Sequence, residues 1–185
     1  FDRRIFVKIQ DIVNCLEKQG EWVNREYTRD HILFGHPDME IDKVIVCWVA
    51  TMEVIQQAIK QQCHFIITHE NLFYMNGTSI PTAIIQSQQE KMNLLEKNKI
   101  TVYRCHDLWD LYPHIGVRDQ WAKLLKIPFQ EVTSPHSYLR ISKPFEMTVE
   151  TLAQHIIKSI EEYDEFGVEV IGNLHQIVHC LGIGT

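Results

Sequence analysis

Two short clusters carry residue types suited to metal or hydrolytic chemistry. His69-Glu70 follows the apolar run that ends at Thr68. His106-Asp107-Leu108-Trp109-Asp110 follows the run that ends at Cys105. Imidazole and carboxylate donors at one rim suit Zn, Mn or Fe(II), and a carboxylate can also bridge and neutralise two ions. Spacing alone leaves a second reading open. A His after a strand also serves as an ordinary loop residue, Asp107 suits a helix N-cap, and Trp109 suits packing. His64 reads as structural. His31, His36, His114, His136, His155, His175 and His179 have no partner at a useful spacing, although ten histidines make the chain rich in this residue. Other catalytic templates are missing: there is no GxSxG elbow, no GxxxxGK[ST] loop and no HExxH pair.

The clusters must be positioned by the elements that precede them. Lys43–Ala50 (KVIVCWVA) reads as a strand buried on both faces. Met52–Gln62 has a helical apolar face, and His64–Thr68 reads as a second strand. Strand, helix and strand with tight connections form a parallel βαβ unit. The pattern recurs with a helix over Thr82–Lys97 and a strand over Lys99–Cys105, which makes the strands ending at Thr68 and Cys105 candidate neighbours. Ligands in open parallel sheets bind beyond such carboxyl ends. An apolar stripe at Ile9, Ile12, Val13 and Leu16 predicts a helix closed by Gly20. Further helices are expected around Val117–Leu125 and, capped by Thr148, through Ile160. Strands are expected near Tyr138–Ser142, Val168–Ile171 and Ile177–Leu181. The expectation is one layered α/β domain over 1–185, a mostly parallel sheet with helices on both faces, and a soft boundary near 130–145.

Composition narrows the function. The chain has 185 residues, 45% hydrophobic and 23% charged, with a net charge of −6. Without a basic cluster, a nucleic-acid partner is not expected. The longest apolar run, Val44–Ala50, is far short of the roughly 20 residues of a membrane span. No secretory leader is visible, so a cytoplasmic protein is expected. Cysteines 15, 47, 63, 105 and 180 form no CxxC pair, which argues against a disulfide framework or cysteine-zinc site. Cys47 and Cys105 read as small buried hydrophobes.

VIVCWVATMEVIQQAIKQQCHFIITHENLFY (44–74), ITVYRCHDLWDLYPHIGVRDQWAKLL (100–125) and the final VHCLGIGT resemble the NIF-three-like proteins, a hexameric family with a dinuclear metal centre. Some members bear the name GTP cyclohydrolase 1 type 2 homolog. The resemblance implies that His69 is a metal ligand and that Asp110 ligates or bridges. Glu70 stands where most members have a second His, as in an HE-type branch, and His106 is a ligand or supports one. The implied metal set is therefore His69, Glu70, His106 and Asp110, with Glu70 and Asp110 as the catalytic pair. One or two divalent ions (Zn, Mn or Fe) per subunit are expected, in a homo-hexamer. The exposed-looking Leu72-Phe73-Tyr74-Met75 run is expected at an interface. The family completes its site with a C-terminal His-x-x-x-Glu pair. Residues 141–185 offer none, so a native C-terminal segment is expected to be missing. The functional expectation is a metal-dependent hydrolase of a small phosphorylated or nucleotide-like substrate. The alternatives are a non-catalytic metal-binding scaffold and GTP cyclohydrolase-type ring opening.

Overall fold

The computed structural model describes residues 5–73 and 81–185. The chain forms two compact units, Phe1–Trp109 and Asp110–Thr185. The division falls within a four-residue helix.

The first unit contains β1 (Val7–Lys8), α1 (Ile9–Gln19), β2 (Ile32–Phe34), β3 (Glu40–Ile41), β4 (Ile45–Cys47), α2 (Met52–Lys60), β5 (Phe65–Thr68), α3 (Thr82–Lys97) and β6 (Thr101–Arg104). The short helix α4 (Asp107–Asp110) spans the division. The central sheet has the order β2-β6-β5-β4. β4, β5 and β6 are parallel, while β2 runs antiparallel to β6. β2 lies in the mixed, polar stretch after Gly20, where the hydrophobic pattern predicts no strand.

Alternation along β5 and β6 sends side chains to two cores. Ile66 and Val102 pack with Ile55 and Ala58 of α2 and Leu95 of α3. Phe65 and Tyr103 point the other way and pack with Ile9 and Val13 of α1. Helices therefore cover both faces, as the sequence predicts. Burying Tyr103 raises its phenol pKa strongly, so it stays neutral. β4 departs from expectation. Its regular strand covers only three residues, and Val46 is 72% exposed. β4 is the sheet edge, so its apolar run covers one face and leaves the other open.

α2 and α3 stop in the same way. Cys63 N–H reaches Ala58 O at 2.8 Å and Gln62 N–H reaches Ile59 O at 3.1 Å. Ile100 N–H reaches Leu95 O at 2.9 Å and Lys99 N–H reaches Glu96 O at 3.1 Å. Gln62 and Lys99 take the left-handed conformation, with φ of 54° and 51°. Both ends are thus Schellman turns built without glycine. The start of α2 is capped by Thr51, whose Oγ1 accepts from Val54 N–H at 3.3 Å.

The second unit contains α5 (Val117–Leu125), β7 (Arg140–Ile141), β8 (Met147–Thr148), α6 (Val149–Ile160), β9 (Ile177–Val178) and β10 (Gly182–Ile183). β7 pairs with β10 and β8 with β9, both antiparallel. Leu125, Ile127 and Leu152 form its core. Thr148 caps α6 as expected, accepting from Thr151 N–H at 3.1 Å. His155 is satisfied by Leu125 O at 2.6 Å. The strand expected near Val168–Ile171 does not form, and Ile171 is exposed. That stretch has β-branched residues but makes no ladder pairing among the described residues.

Leu72 corrects another expectation. It is buried in the α2/α3 core, and Phe73 packs against that core. These two residues serve packing, while Tyr74 and Met75 lie outside the described residues. No helix among the described residues is long and apolar enough to cross a membrane.

Gly35 has φ of +91°, and a Cβ there would lie 2.7 Å from the Thr101 Cα and 2.6 Å from its Oγ1. Gly35→Ala should cost about 3 kcal/mol. A urea-midpoint loss equivalent to under about 1 kcal/mol would show that the turn relaxes freely. In the second unit, burial alone would raise the Asp119 pKa, but the His114 N–H and the Arg140 and Arg118 guanidiniums outweigh it and lower it. Its stabilisation is therefore complete above the unfolded carboxylate value of about 3.9 and lost as pH falls through the folded value. Asp119→Asn should cost about 2 kcal/mol at pH 7, with the gap from wild type shrinking toward pH 3 in urea titrations.

Candidate metal site

Cys47, Thr68 and Arg104 share one row across β4, β5 and β6. The residues that follow emerge together at the carboxyl ends. His69 N–H reaches the Cys47 and Trp48 carbonyls at 3.2 Å each, and Glu70 N–H reaches Trp48 O at 2.9 Å. Cys105 N–H donates to Thr68 O at 2.9 Å. The backbone ladder thus continues past the strands and fixes where the His69-Glu70 and His106 loops begin. The Thr68 hydroxyl is buried 3.2 Å from both Trp48 O and Glu70 O, and donates to one at a time.

Among the described residues, His69, Glu70 and His106 each offer a ligand atom within 4.8 Å of the other two. His69 is buried, and the other two are half-buried. The His69 ring stacks on Trp48 at 3.9 Å and on His106 at 4.5 Å between centroids. His106 Nδ1 is paired with Asp107 Oδ1 at 2.8 Å. A carboxylate on one imidazole nitrogen fixes the tautomer and turns the other nitrogen toward a metal. The donor set therefore fits a divalent cation of the Zn, Mn or Fe class. Asp110, the fourth residue expected at the site, is buried at the end of α4 and opens the second unit.

Three supporting residues have no local sequence signature as a group. Asp30 is buried, and its carboxylate accepts the N–H groups of His106, Asp107 and Leu108 at 2.7, 3.0 and 2.8 Å. It does for α4 what a capping side chain does, from 76 residues upstream of His106. Asp107, the N-cap candidate, instead holds His106 and accepts Arg29 N–H at 3.1 Å. Arg104 is buried and donates to His69 O at 3.1 Å and Asn71 Oδ1 at 3.2 Å, with its third nitrogen 3.6 Å from Glu70 Oε2. It ties the peptide of one candidate ligand to the carboxylate of another. A charged residue at the end of the apolar run ITVYRC is the one signal that marks it in sequence. Trp22 Nε1 braces the same turn by donating to Leu108 O at 2.9 Å. His64 lies just before β5, exposed, with Nδ1 3.0 Å from Asn98 O.

This geometry defines an α/β protein with a His-Glu-His group that could hold a metal ion at the carboxyl end of a mostly parallel sheet. Residues 7–185 match the Duf34/NIF3 (NGG1p interacting factor 3) family, and the chain belongs to it. The GTP cyclohydrolase 1 type 2 homolog of Clostridium perfringens is 26% identical over 185 residues, covering 96% of this chain and 68% of that protein. The protein of the same name from Buchnera aphidicola is 24% identical over 156 residues, covering 81% of this chain and 59% of that one. The chain spans only 44% of a further relative of that name from Clostridium acetobutylicum. Solved structures share the fold. A Bacillus cereus protein related to NIF3 aligns with a TM-score of 0.67 at 16% identity, covering 97% of this chain and 76% of that one. Reduced HcgD from Methanocaldococcus jannaschii aligns at 0.62 and 19% identity, covering 87% and 62%.

Asp107→Ala removes the partner of His106 Nδ1 while leaving every candidate ligand in place. It should weaken zinc binding by roughly 10- to 100-fold. Competition with a chromophoric chelator measures this, and an unchanged affinity would show that Asp107 does not support a metal ligand at His106.

Proposed function

We propose that this protein holds a divalent cation at His69, Glu70 and His106 and hydrolyses a small phosphorylated or nucleotide-like substrate. The observation that carries the reading is the convergence of three donors with Asp107 already orienting His106. A bound ion of this class supplies Lewis acidity and lowers the pKa of water toward about 7. The chain's own groups do the rest. His69 is held in place by the hydrogen bonds its N–H donates to the Cys47 and Trp48 carbonyls and by the Trp48 ring, so it can bind without reorganising. Glu70 is 41% exposed on its side chain, which lets it reach solvent as a ligand or as the acceptor of a water proton. Arg104 beside it adds positive charge where an anionic substrate would approach. The three donors carry at most one negative charge, so a second ion would need a further carboxylate. We assign that role to Asp110, as a ligand or bridge. Assembly into a homo-oligomer, with a hexameric ring as the expected form, belongs to the same proposal.

The test uses the full-length protein loaded in turn with Zn, Mn and Fe(II). Metal analysis should find about one to two ions per chain, and His69→Ala or His106→Ala should weaken binding at least about tenfold. A panel of phosphoesters and nucleotides, GTP included, should show turnover that Asp110→Asn abolishes. Stoichiometric metal without turnover above that variant would leave a metal-binding scaffold. Absence of metal would remove both readings.

A further inference from the structure

Beside the candidate metal site lies a cavity of about 520 Å³, lined by Leu16, Val46, Trp48, Ile67, Cys105 and Trp109. His69 also lines it, so the cavity and the metal group share a residue. Its size is in the ordinary range for small-molecule sites, about 300 to 1,000 Å³. Val46, Trp48 and Trp109 are 72%, 56% and 43% exposed. Two indoles and a valine thus face solvent beside the edge strand β4. Indole faces favour flat rings, which stack on them.

Among the described residues, the lining has no Asp, Glu, Lys or Arg side chain. Cys47 and Cys105 both border it. Apart from His69, the wall is built of aliphatic, indole and thiol side chains. A phosphate or carboxylate meets no Lys or Arg among the described lining residues, whereas Arg104 and the metal donors lie on the His69 side.

We propose that this cavity receives the uncharged aromatic ring of a ligand whose donor group reaches the metal held by His69, Glu70 and His106. The proposal rests on the metal-site reading above and adds the polarity of the substrate. The ligand is two-ended, with a flat apolar ring lying against Trp48 and a metal-binding head beyond His69. Ring burial should therefore set affinity, and the head should set position.

Three probes separate the parts. Zinc-loaded full-length protein is titrated calorimetrically with 2-naphthohydroxamate and with acetohydroxamate, which share a metal-binding head and differ in the ring. The naphthyl compound should bind about tenfold or more tightly. Val46→Glu places a charge on the exposed shelf without touching a metal donor. It should erase the difference while leaving zinc stoichiometry and acetohydroxamate affinity unchanged. Equal affinity of the two hydroxamates for the unaltered protein would overturn the proposal. The neutral probe 2-naphthol, added to metal-free protein, should quench tryptophan fluorescence, and Val46→Glu and Trp48→Ala should each abolish this. If zinc fails to bind but 2-naphthol still does, the metal reading falls and the ring site stands. If 2-naphthol does not bind, the ring site falls whatever the metal does. A larger species in light scattering that Val46→Glu dissociates, with no 2-naphthol binding, would assign the shelf to a second copy of the chain and overturn the proposal.

Discussion

Cys47, Thr68 and Arg104 stand in one row across three parallel strands, and the placement of every candidate ligand in the first unit depends on that row. Parallel strands all end at the same edge of a sheet, so their loops emerge together. Here the match goes further than shared direction. β5 and β6 pair without a shift along their whole length, from Phe65 with Thr101 to Thr68 with Arg104. Slipping one strand by a single residue would send His69 to the opposite face and bury a different set of side chains. The two helix faces guard against this. Phe65 and Ile66 each fill a separate core, and neither could take the other's place without opening a cavity.

Around that row, polar groups do the positioning that apolar packing cannot. Asp30 and Arg104 are both buried, and each spends its charge on backbone or side-chain atoms of the two loops. Hydrogen bonds to charged groups are stronger than neutral ones, about 1.5 to 3 kcal/mol each. Removing Asp30 would also strand three N–H groups, and removing Arg104 the His69 C=O and the Asn71 Oδ1, a cost of similar size for each buried group. The loops are therefore held by a few strong, directional contacts rather than by many weak ones. This suits a site whose donors must keep fixed positions while one side stays open to solvent.

How much of this was legible in the sequence follows from the range of each interaction. The β4-α2-β5-α3-β6 order could be read from local apolar runs, because burial on a sheet and burial on a helix leave different periods. The convergence of His69, Glu70 and His106 followed from that order alone. β2 was not legible, since a short edge strand in mixed sequence has no period to detect, and its pairing with β6 is a long-range fact. Asp30 was hidden for the same reason: its three partners lie far along the chain. Val46 misled because a run of apolar residues looks the same whether the second face is covered or left as an open shelf. The role of Asp107 was half legible. Its place at the start of a turn was right, but the capping charge came from elsewhere.

The twin turns that close α2 and α3 bear on how this fold can change over generations. Each returns the chain to the sheet through one left-handed residue, Gln62 or Lys99, with the next strand starting a few residues later. Side chains in a strand alternate with a period of two. These connections therefore act as a reading frame for the strands that follow. Replacing Gln62 or Lys99 with another residue alters a single conformational preference. Gaining or losing one residue beside them would invert the faces of β5 or β6 along their length. The lineage should tolerate exchange at these turns far more readily than insertion or deletion, and length variation should collect instead in segments that do not lead directly into a buried strand.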